Sequence, residues 1–454
     1  MFPRSSKFIL GACALLLFTT VAPRPSHAKK KPKDRELVVL FLIDAVRADH
    51  MGSYGYERPT TPNLDVFASE GVRYTRMYTN APWTRPSTVS FLTGYSASRH
   101  RTETGKTKLP ETVTTLAQRL KKQGYFTAGF TANGNGGSLA GIEKGFDVFE
   151  DPSKTYPRKK RGKTYCCNGL PSGEFIVDRV SRFLDRNKAD KLFLFIFLVD
   201  PHDPYGAPPE LEEMFLGKDF KGKIRRHALW ERNNDYPPDE RFSLVALYDA
   251  GIRYSDENFK RFTDDLKKRG LYDKATIMVS ADHGEGFGEH GFYLHAHHFW
   301  EEVIHVPLLV RGPGFSPGTV DPRLVDSLDV AVTIAETAGV SPGDMEGYDL
   351  RKPAARPHVI SEYNEFGIHR QAIVGPRYKV IWQRPADEEW YLREAKKKEF
   401  FPSVSFDKDV IHVFDLEKDP QEKHSLHAQM PPEAKALLET LRAFVKKSDT
   451  LAER

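Results

Sequence analysis

Three strongly apolar runs in this chain each end in an aspartate. Leu37–Ile43 runs into Asp44, Lys191–Val199 into Asp200, and Ala275–Ala281 into Asp282, which is followed by His283. Runs of this length and β-branched content fit strands buried on both faces. Ligands of open α/β sheets bind at the carboxyl ends of such strands. Carboxylates gathered there repel one another unless a cation neutralises them. One strand-end Asp reads as an ordinary loop cap. Three together, one beside a histidine, point to a divalent metal. Oxygen and imidazole donors suit Zn²⁺ or Mn²⁺, with Ca²⁺ the alternative. Asp200 and His202 are candidates for holding a second ion.

The segment Ala81–Gly94 carries a second kind of chemistry. Pro86, Ser87 and the apolar stretch after them read as a turn entering a helix, with Thr84 just before it. Amide donors and the helix dipole at such a start suit a phosphate or sulfate ester. A hydroxyl held on a metal there is an activated nucleophile. Thr84 and Ser87 as simple helix caps is the competing reading. Of 16 histidines, six fall between His283 and His305: His283, His290, His295, His297, His298 and His305. A cluster adjoining strand-end aspartates points to function. His298 and His305 are the two most readily assigned to structure.

The elements that must position these residues alternate strand and helix. Helical patterns span Thr112–Gln123, Glu174–Arg186, Arg241–Arg269 and Leu328–Ala338, three of them stopping at a glycine. Short strand-like pieces follow at His358–Glu362, Arg370–Val374, Tyr378–Trp382 and His412–Asp415. They predict a small antiparallel sheet. A last amphipathic helix starts at Pro431-Pro432. The Pro-, Asn- and charge-rich segment Tyr205–Asp239 reads as a surface insertion rimming the site. The domains expected are a leader over 1–28, a basic linker over 29–35, a catalytic α/β domain over 36–341 and a smaller α+β domain over 342–454.

The chain has 454 residues, 39% of them hydrophobic and 28% charged, enough apolar material for a large core. Arg4 and Lys7, the apolar run Phe8–Ala22 and Ser26-His27-Ala28 make a secretory leader cleaved after Ala28. Cys13 after Leu10-Gly11-Ala12 gives a weaker lipoprotein alternative. Removal of 1–28 takes three basic residues, leaving 67 − 3 = 64 against 62 acidic. The basic runs Lys29–Lys33 and Arg158–Lys163 stand without any nucleic-acid motif, so no nucleic-acid partner is expected. Only Cys166 and Cys167 remain in the mature chain, too few for a disulfide scaffold. No stable membrane span is expected in the mature form.

Several motifs together carry a resemblance. They are Asp44-x4-Asp49-x2-Gly52-x-Tyr54-Gly55-Tyr56, Thr61-Pro62-Asn63-Leu64-Asp65 and Thr84-x-Pro86-Ser87-x5-Thr93-Gly94. Further on come Asp200-Pro-His202-x-Pro204-Tyr205, Ser280-x-Asp282-His283-Gly284, Trp300-Glu301-Glu302 and Phe414-Asp415-Leu416. The chain closely resembles the sulfatases of the alkaline phosphatase superfamily. That resemblance implies a large α/β domain with a mixed central sheet and a smaller C-terminal domain bearing an antiparallel sheet and a helix. It implies Asp44, Asp282 and His283 as metal ligands, Thr84 as nucleophile with its oxygen on the metal, and His202 at the substrate or leaving group. His297 is similar in setting. Asn133 and Arg85 are the remaining candidates for the substrate environment.

The departures from the family pattern fall together. A formylglycine sulfatase carries Cys or Ser where this chain has Thr84, and Thr cannot become that aldehyde. Thr88, Ala45 and His283 replace the pattern's Arg, second Asp and Asn. The expected activity is therefore an exported, metal-dependent hydrolase of phosphate mono- or diesters. The alternatives are a sulfuric ester hydrolase without formylglycine and a non-catalytic binding protein.

Overall fold

The computed structural model describes residues 35–156, 165–166, 169–228, 236–395 and 404–452. The leader, Cys13, both basic runs and Cys167 lie outside the described residues. The described residues form one compact unit.

An eight-stranded sheet is the frame. In chain order its strands are β1 (Glu36–Ile43), β2 (Val72–Tyr78), β3 (Phe126–Thr131), β4 (Val148–Glu150), β7 (Lys191–Leu198), β8 (Thr276–Ser280), β11 (His305–Arg311) and β12 (Thr319–Asp326). Two-residue strands β5 (Tyr165–Cys166) and β6 (Leu170–Pro171) pair with each other, as do β9 (Gly286–Phe287) and β10 (Tyr293–Leu294). The spatial order is β12-β2-β11-β8-β1-β7-β3-β4. All neighbours are parallel except β11, which runs antiparallel to both β2 and β8. The sheet is thus mixed. Phe41, Phe195 and Phe197 on its central strands are fully buried, which explains their uninterrupted hydrophobic sequences.

Register decides which strand-end side chains meet. Leu42 lies opposite Ser280, so two residues on Asp44 stands level with Asp282. Ile43 lies opposite Leu198 and Thr131 opposite Phe197, so Asp44, Val199 and Asn133 share a level. Asp200 is one residue further on, and a one-residue step turns a side chain to the other face. It points away and caps α5 (Gly173–Arg186): its two carboxylate oxygens each accept from the Gly173 amide at 3.0 Å, and Ser255 donates to it. Asp200 is therefore a helix cap, and the reading of it as a ligand of a second ion is corrected.

Helices cover both faces. The sequence pattern placed the start of one helix at Thr112. It begins at Leu116, because Thr115 and Gln118 form a reciprocal capping box there, giving α4 (Leu116–Lys122). The long α7 (Pro238–Lys268) starts three residues earlier than its apolar pattern, on a proline at its first turn. Gly251 lets α7 approach the sheet: a Cβ there would fall 2.7 Å from the Asp200 carbonyl oxygen. The segment after Tyr205 is more built than a surface loop. It contains α6 (Pro209–Leu216), whose Leu211 and Phe215 pack with Ala246 and Ala250 of α7.

A second sheet, antiparallel and four-stranded, runs β13 (Val359–Glu365), β14 (Ile368–Val374), β15 (Tyr378–Gln383) and β16 (Val410–Asp415). The C-terminal helix α11 (Pro432–Ala452) buries Leu438, Leu441 and Val445 against it. The fully buried Lys379 of β15 joins this sheet to the main body. Its ammonium lies 2.9 Å from Glu301 and 2.8 Å from Glu422. Among the described residues no helix is long and apolar enough to cross a membrane.

Asp200→Ala is expected to cost about 1–3 kcal/mol of stability, the range for a lost buried charged hydrogen bond. It should leave ester turnover intact below its own melting temperature. Loss of activity in the folded variant would return Asp200 to the catalytic site.

Candidate active site

Four neighbouring strand ends deliver the site. β1 supplies Asp44, β8 supplies Asp282 and His283, β3 supplies Asn133, and β7 supplies His202. The nucleophile candidate comes from α2 (Thr84–Thr93), whose ten residues are all buried. Ser87 in its first turn donates to the Asp282 carbonyl at 2.6 Å and lies 2.8 Å from the Thr79 hydroxyl. That clamp fixes the start of α2 against the end of β8. Gly284 makes room on the other side: a Cβ there would meet the Glu302 carbonyl oxygen at 2.1 Å.

The centre is electron-rich and buried. His283 Nδ1 faces the Gly284 carbonyl at 2.9 Å, and a carbonyl only accepts. Nδ1 therefore carries the proton and Nε2 presents its lone pair. Burial, and then the nearby His295, push the imidazole down to about 3, so it is neutral at ordinary pH. Nε2 lies 3.5 Å from Asp44 Oδ1, 3.3 Å from Asp282 Oδ2 and 3.2 Å from Thr84 Oγ1. Both of those carboxylate oxygens are buried without a hydrogen-bond partner. The other oxygens are held: Asn133 donates to Asp44 Oδ2 at 2.7 Å, and the Ala45 and His283 amides donate to Asp282 Oδ1. Burial, and for Asp44 the neighbouring Asp282, push both carboxyls up to about 7.

The ligand atoms of Asp44, Asp282 and His283 all lie within 4.8 Å of one another. Two donor-free carboxylate oxygens and one imidazole lone pair, aimed at one point beside a hydroxyl, fit a divalent cation. A second cluster of His290, Glu302 and Glu422 has a different answer, since the Lys379 ammonium already pairs with Glu422.

His202 stands across from this centre. Burial opposes its charged form, but the carboxylates of Asp44 and Glu285 and the carbonyl of Asp203 outweigh it and raise it to about 9. His295 stacks on His283 at 4.0 Å and meets His202 edge-on at 5.1 Å. Its Nδ1 donates to Glu285 at 2.9 Å. His297 packs edge-on against Tyr363. Thr84, Asn133, His202, His295 and His297 all line one cavity of about 510 Å³, together with Trp83 and Phe366.

Arg85 does not line that cavity. Its guanidinium donates to the Thr104 and Thr107 carbonyls and to Asn135, bracing the loop after α3 (Ala97–His100). The described part of the 205–239 insertion does not line it either, which corrects the reading of that segment as its rim. The turn between β13 and β14 does, through Glu365 and Phe366. His298 and His305 are structural: one stacks on Phe292, and the other stacks on Tyr78 and bonds the Thr75 carbonyl. Sequence reasoning missed Glu285 as the partner of His295. The run Asp282-His283-Gly284-Glu285 was the available signal, since it places that carboxylate beside the ligands.

Residues 36–340 match the family model described as Sulfatase. Residues 288–449 match the model described as N-sulphoglucosamine sulphohydrolase, C-terminal. The first match covers well over half of the chain, and the chain belongs to the sulfatase family. It is 25% identical over 439 residues to the choline-sulfatase of Rhizobium meliloti (strain 1021), covering 86% of this chain and 82% of that one. It is 24% identical over 474 residues to the arylsulfatase of Clostridium perfringens (strain 13 / Type A), covering 86% and 89%. The fold is shared with the phosphonate monoester hydrolase of Agrobacterium radiobacter, with TM-score 0.70, 18% identity and coverage of 92% and 96%. It is shared equally with a structure solved in complex with its substrate D-glucosamine-2-N,6-O-disulfate, with TM-score 0.71, 19% identity and coverage of 91% and 98%. The protein is an ester hydrolase of the sulfatase family.

The buried carboxyls give the cation-free protein a pH signature. Unfolded Asp ionises near pH 4, whereas folded Asp44 and Asp282 ionise at about 7. The folded state holds extra protons between those values, so their contribution is complete below about pH 4 and lost as pH rises through 7. The chelated protein is expected to lose more stability between pH 5 and pH 8 than an Asp44→Asn/Asp282→Asn variant. At pH 8, Mn²⁺ at about 100 times its dissociation constant should stabilise the native protein by about 2.7 kcal/mol and the variant not at all. Thermal melts with and without chelator check both; equal melts for the two proteins would contradict the cation site.

Proposed function

We propose that this sulfatase-family chain hydrolyses phosphoric esters with Thr84 as nucleophile and prefers singly charged diesters to doubly charged monoesters. The observation that carries the proposal is the Thr84 hydroxyl, 3.2 Å from the His283 lone pair and beside two donor-free carboxylate oxygens. Asp44, Asp282, His283 and Thr84 Oγ1 would hold one divalent cation, Zn²⁺ or Mn²⁺ before Ca²⁺. When bound, that ion lowers the pKa of the hydroxyl and offsets charge on the ester oxygens.

The chain's own groups then do the following. Thr84 gives its proton to solvent water, and Oγ1 attacks phosphorus in line, forming a Thr84–phosphorus ester as the bond to the leaving oxygen breaks. His202, held by the Asp203 carbonyl at 2.5 Å, donates a proton to that oxygen. The Thr84 and Arg85 amides at the start of α2 would face the equatorial oxygens, since Pro86 has no N–H and the Ser87 amide bonds the Trp83 carbonyl. Water next attacks phosphorus and its proton passes to His202, while the Thr84–phosphorus bond breaks and the departing Thr84 oxygen takes a proton from solvent water. Asn133 keeps Asp44 oriented, and Glu285 keeps His295 oriented.

Charge favours a monoanion. Among the described residues lining the cavity there is no lysine or arginine, whereas Asp203 and Glu365 line it. A second reading, a sulfate monoester, shares that single charge and is favoured by the names of the relatives. Thr84 has no second oxygen on its carbon through which an aldehyde hydrate expels sulfate. Release from it therefore needs attack at phosphorus or sulfur. That requirement supports the phosphorus reading.

Aryl phosphodiester, aryl phosphate and aryl sulfate compared side by side, with Mn²⁺ or Zn²⁺ present, test the proposal. Diester turnover is expected to be highest and to fall more than about 100-fold in Thr84→Ala. Thr84→Ser should retain most of it. Undiminished turnover in Thr84→Ala would sink the nucleophile, and sulfate turnover alone would move the assignment to the second reading. We also infer export, supported by the Arg4–Lys7 charge, the apolar run Phe8–Ala22 and Ser26-His27-Ala28. Secreted protein should begin at Lys29; an intact Met1 terminus would contradict export by cleavage.

A further inference from the structure

A second cavity, of about 340 Å³, lies behind the segment that carries His297. His290, Trp300, Arg370, Gln383, Val404 and His412 are among its lining residues, and among the described residues no carboxylate lines it. Its volume is at the lower end for small-molecule sites. Phe292 and Phe299 add ring faces to its wall.

Arg370 is the unusual residue. It is 8% exposed. Its Nε and Nη2 donate to Gln383 Oε1, and its Nη1 donates to the His297 carbonyl. Among the described residues no carboxylate pairs with it, and the groups that act on its charge are Tyr363 and Tyr391. Of the other buried cations, Arg47 is answered by Asp49 and Glu289 and Lys379 by Glu301 and Glu422, while Arg85 spends its donors on the Thr104 and Thr107 carbonyls and on Asn135, away from any such cavity wall. A buried charge without a counter-charge is costly, and burial accordingly pushes Arg370 down to about 10. Beside it, Gln383 Nε2 is a buried donor without an acceptor. A guanidinium and an amide donor, both lacking an anion, thus sit in the wall of a cavity that has room for one.

We propose that this cavity binds a small organic acid: one carboxylate, sulfate or phosphate group on a ring-sized apolar or sugar body, with Arg370 as its counter-charge. The ring faces of Trp300, Phe292 and Phe299 take the body of the ligand. The segment His297–Trp300 separates the two cavities, with His297 on the catalytic side and Trp300 on the other. The Arg370 bond to the His297 carbonyl links an occupant to the catalytic cavity. The occupant is either a free acid or the far end of a substrate with a second anionic group. The inference does not depend on the identity of the nucleophile.

The test is calorimetric titration of the purified full-length protein with benzenesulfonate and glucuronate, neither a substrate for ester hydrolysis, and with benzyl alcohol as neutral control. Saturable binding of the acids but not the alcohol is expected. Arg370→Gln should weaken it about tenfold or more. Val404→Trp, which fills the cavity and leaves Arg370 in place, should do the same, and Thr84→Ala should not. No saturable binding of either acid, binding unchanged in both cavity variants, or binding lost in Thr84→Ala would each overturn the proposal. Kinetics separates the two sources. A free acid alters kcat/KM for a small aryl ester. A substrate arm raises KM in Arg370→Gln only for esters bearing a second anion.

Discussion

Three lone pairs converge at one buried point, and the rest of the architecture answers to that fact. Asp44 Oδ1 and Asp282 Oδ2 have no hydrogen-bond donor, and His283 Nε2, close to both, meets only the Thr84 hydroxyl. Such an arrangement is unfavourable on its own, because burial removes the water that would solvate the two carboxylates. It becomes favourable when a cation or added protons neutralise it, and the raised carboxyls show how strongly the site seeks one or the other. A single hydroxyl, that of Thr84, is placed against this point. A divalent cation held at the cluster would offset the charge of an alkoxide at that oxygen, which the carboxylates alone would oppose.

The fold holds the cluster together by packing rather than by exposed contacts. Parallel strands β8, β1 and β7 fix the level at which the side chains emerge. The Ser87 bond to the Asp282 carbonyl then locks α2 to that level. Glycines 251 and 284 permit backbone approaches that no larger residue allows. The C-terminal sheet contributes the Glu365–Phe366 turn to the mouth and carries Arg370 beneath the histidine segment. Catalytic and second cavities therefore share one strip of backbone, which makes that strip the place where binding at one is felt at the other.

Continuous apolar runs made β1, β7 and β8 legible in the sequence, together with the aspartates at their ends. The edge-side strands were not legible. β2 mixes Arg and Thr with its tyrosines, β12 contains Pro322 and two aspartates, and β11 contains Pro307, so none shows a clean period. Their pairing comes from the sheet, not from local preference. The misplaced Asp200 shows the limit of reading side chains by strand end alone. Register differs by one residue between β1 and β7, and only pairing reveals that. Asp44, Asp282, His283 and Thr84 were legible because each sits beside a strong element boundary. Glu285 and Arg370 were not read: Glu285 acts through His295 ten residues on, and Arg370 has no anionic partner among the described residues.

The account stands on the claim that the Asp44–Asp282–His283 cluster and the Thr84 hydroxyl hold one divalent ion. Anomalous X-ray scattering from a crystal equilibrated with Mn²⁺ measures this directly. The account expects one strong peak bounded by Asp44 Oδ1, Asp282 Oδ2, His283 Nε2 and Thr84 Oγ1. An empty cluster at saturating Mn²⁺, or a peak on Asp200 instead, would contradict it.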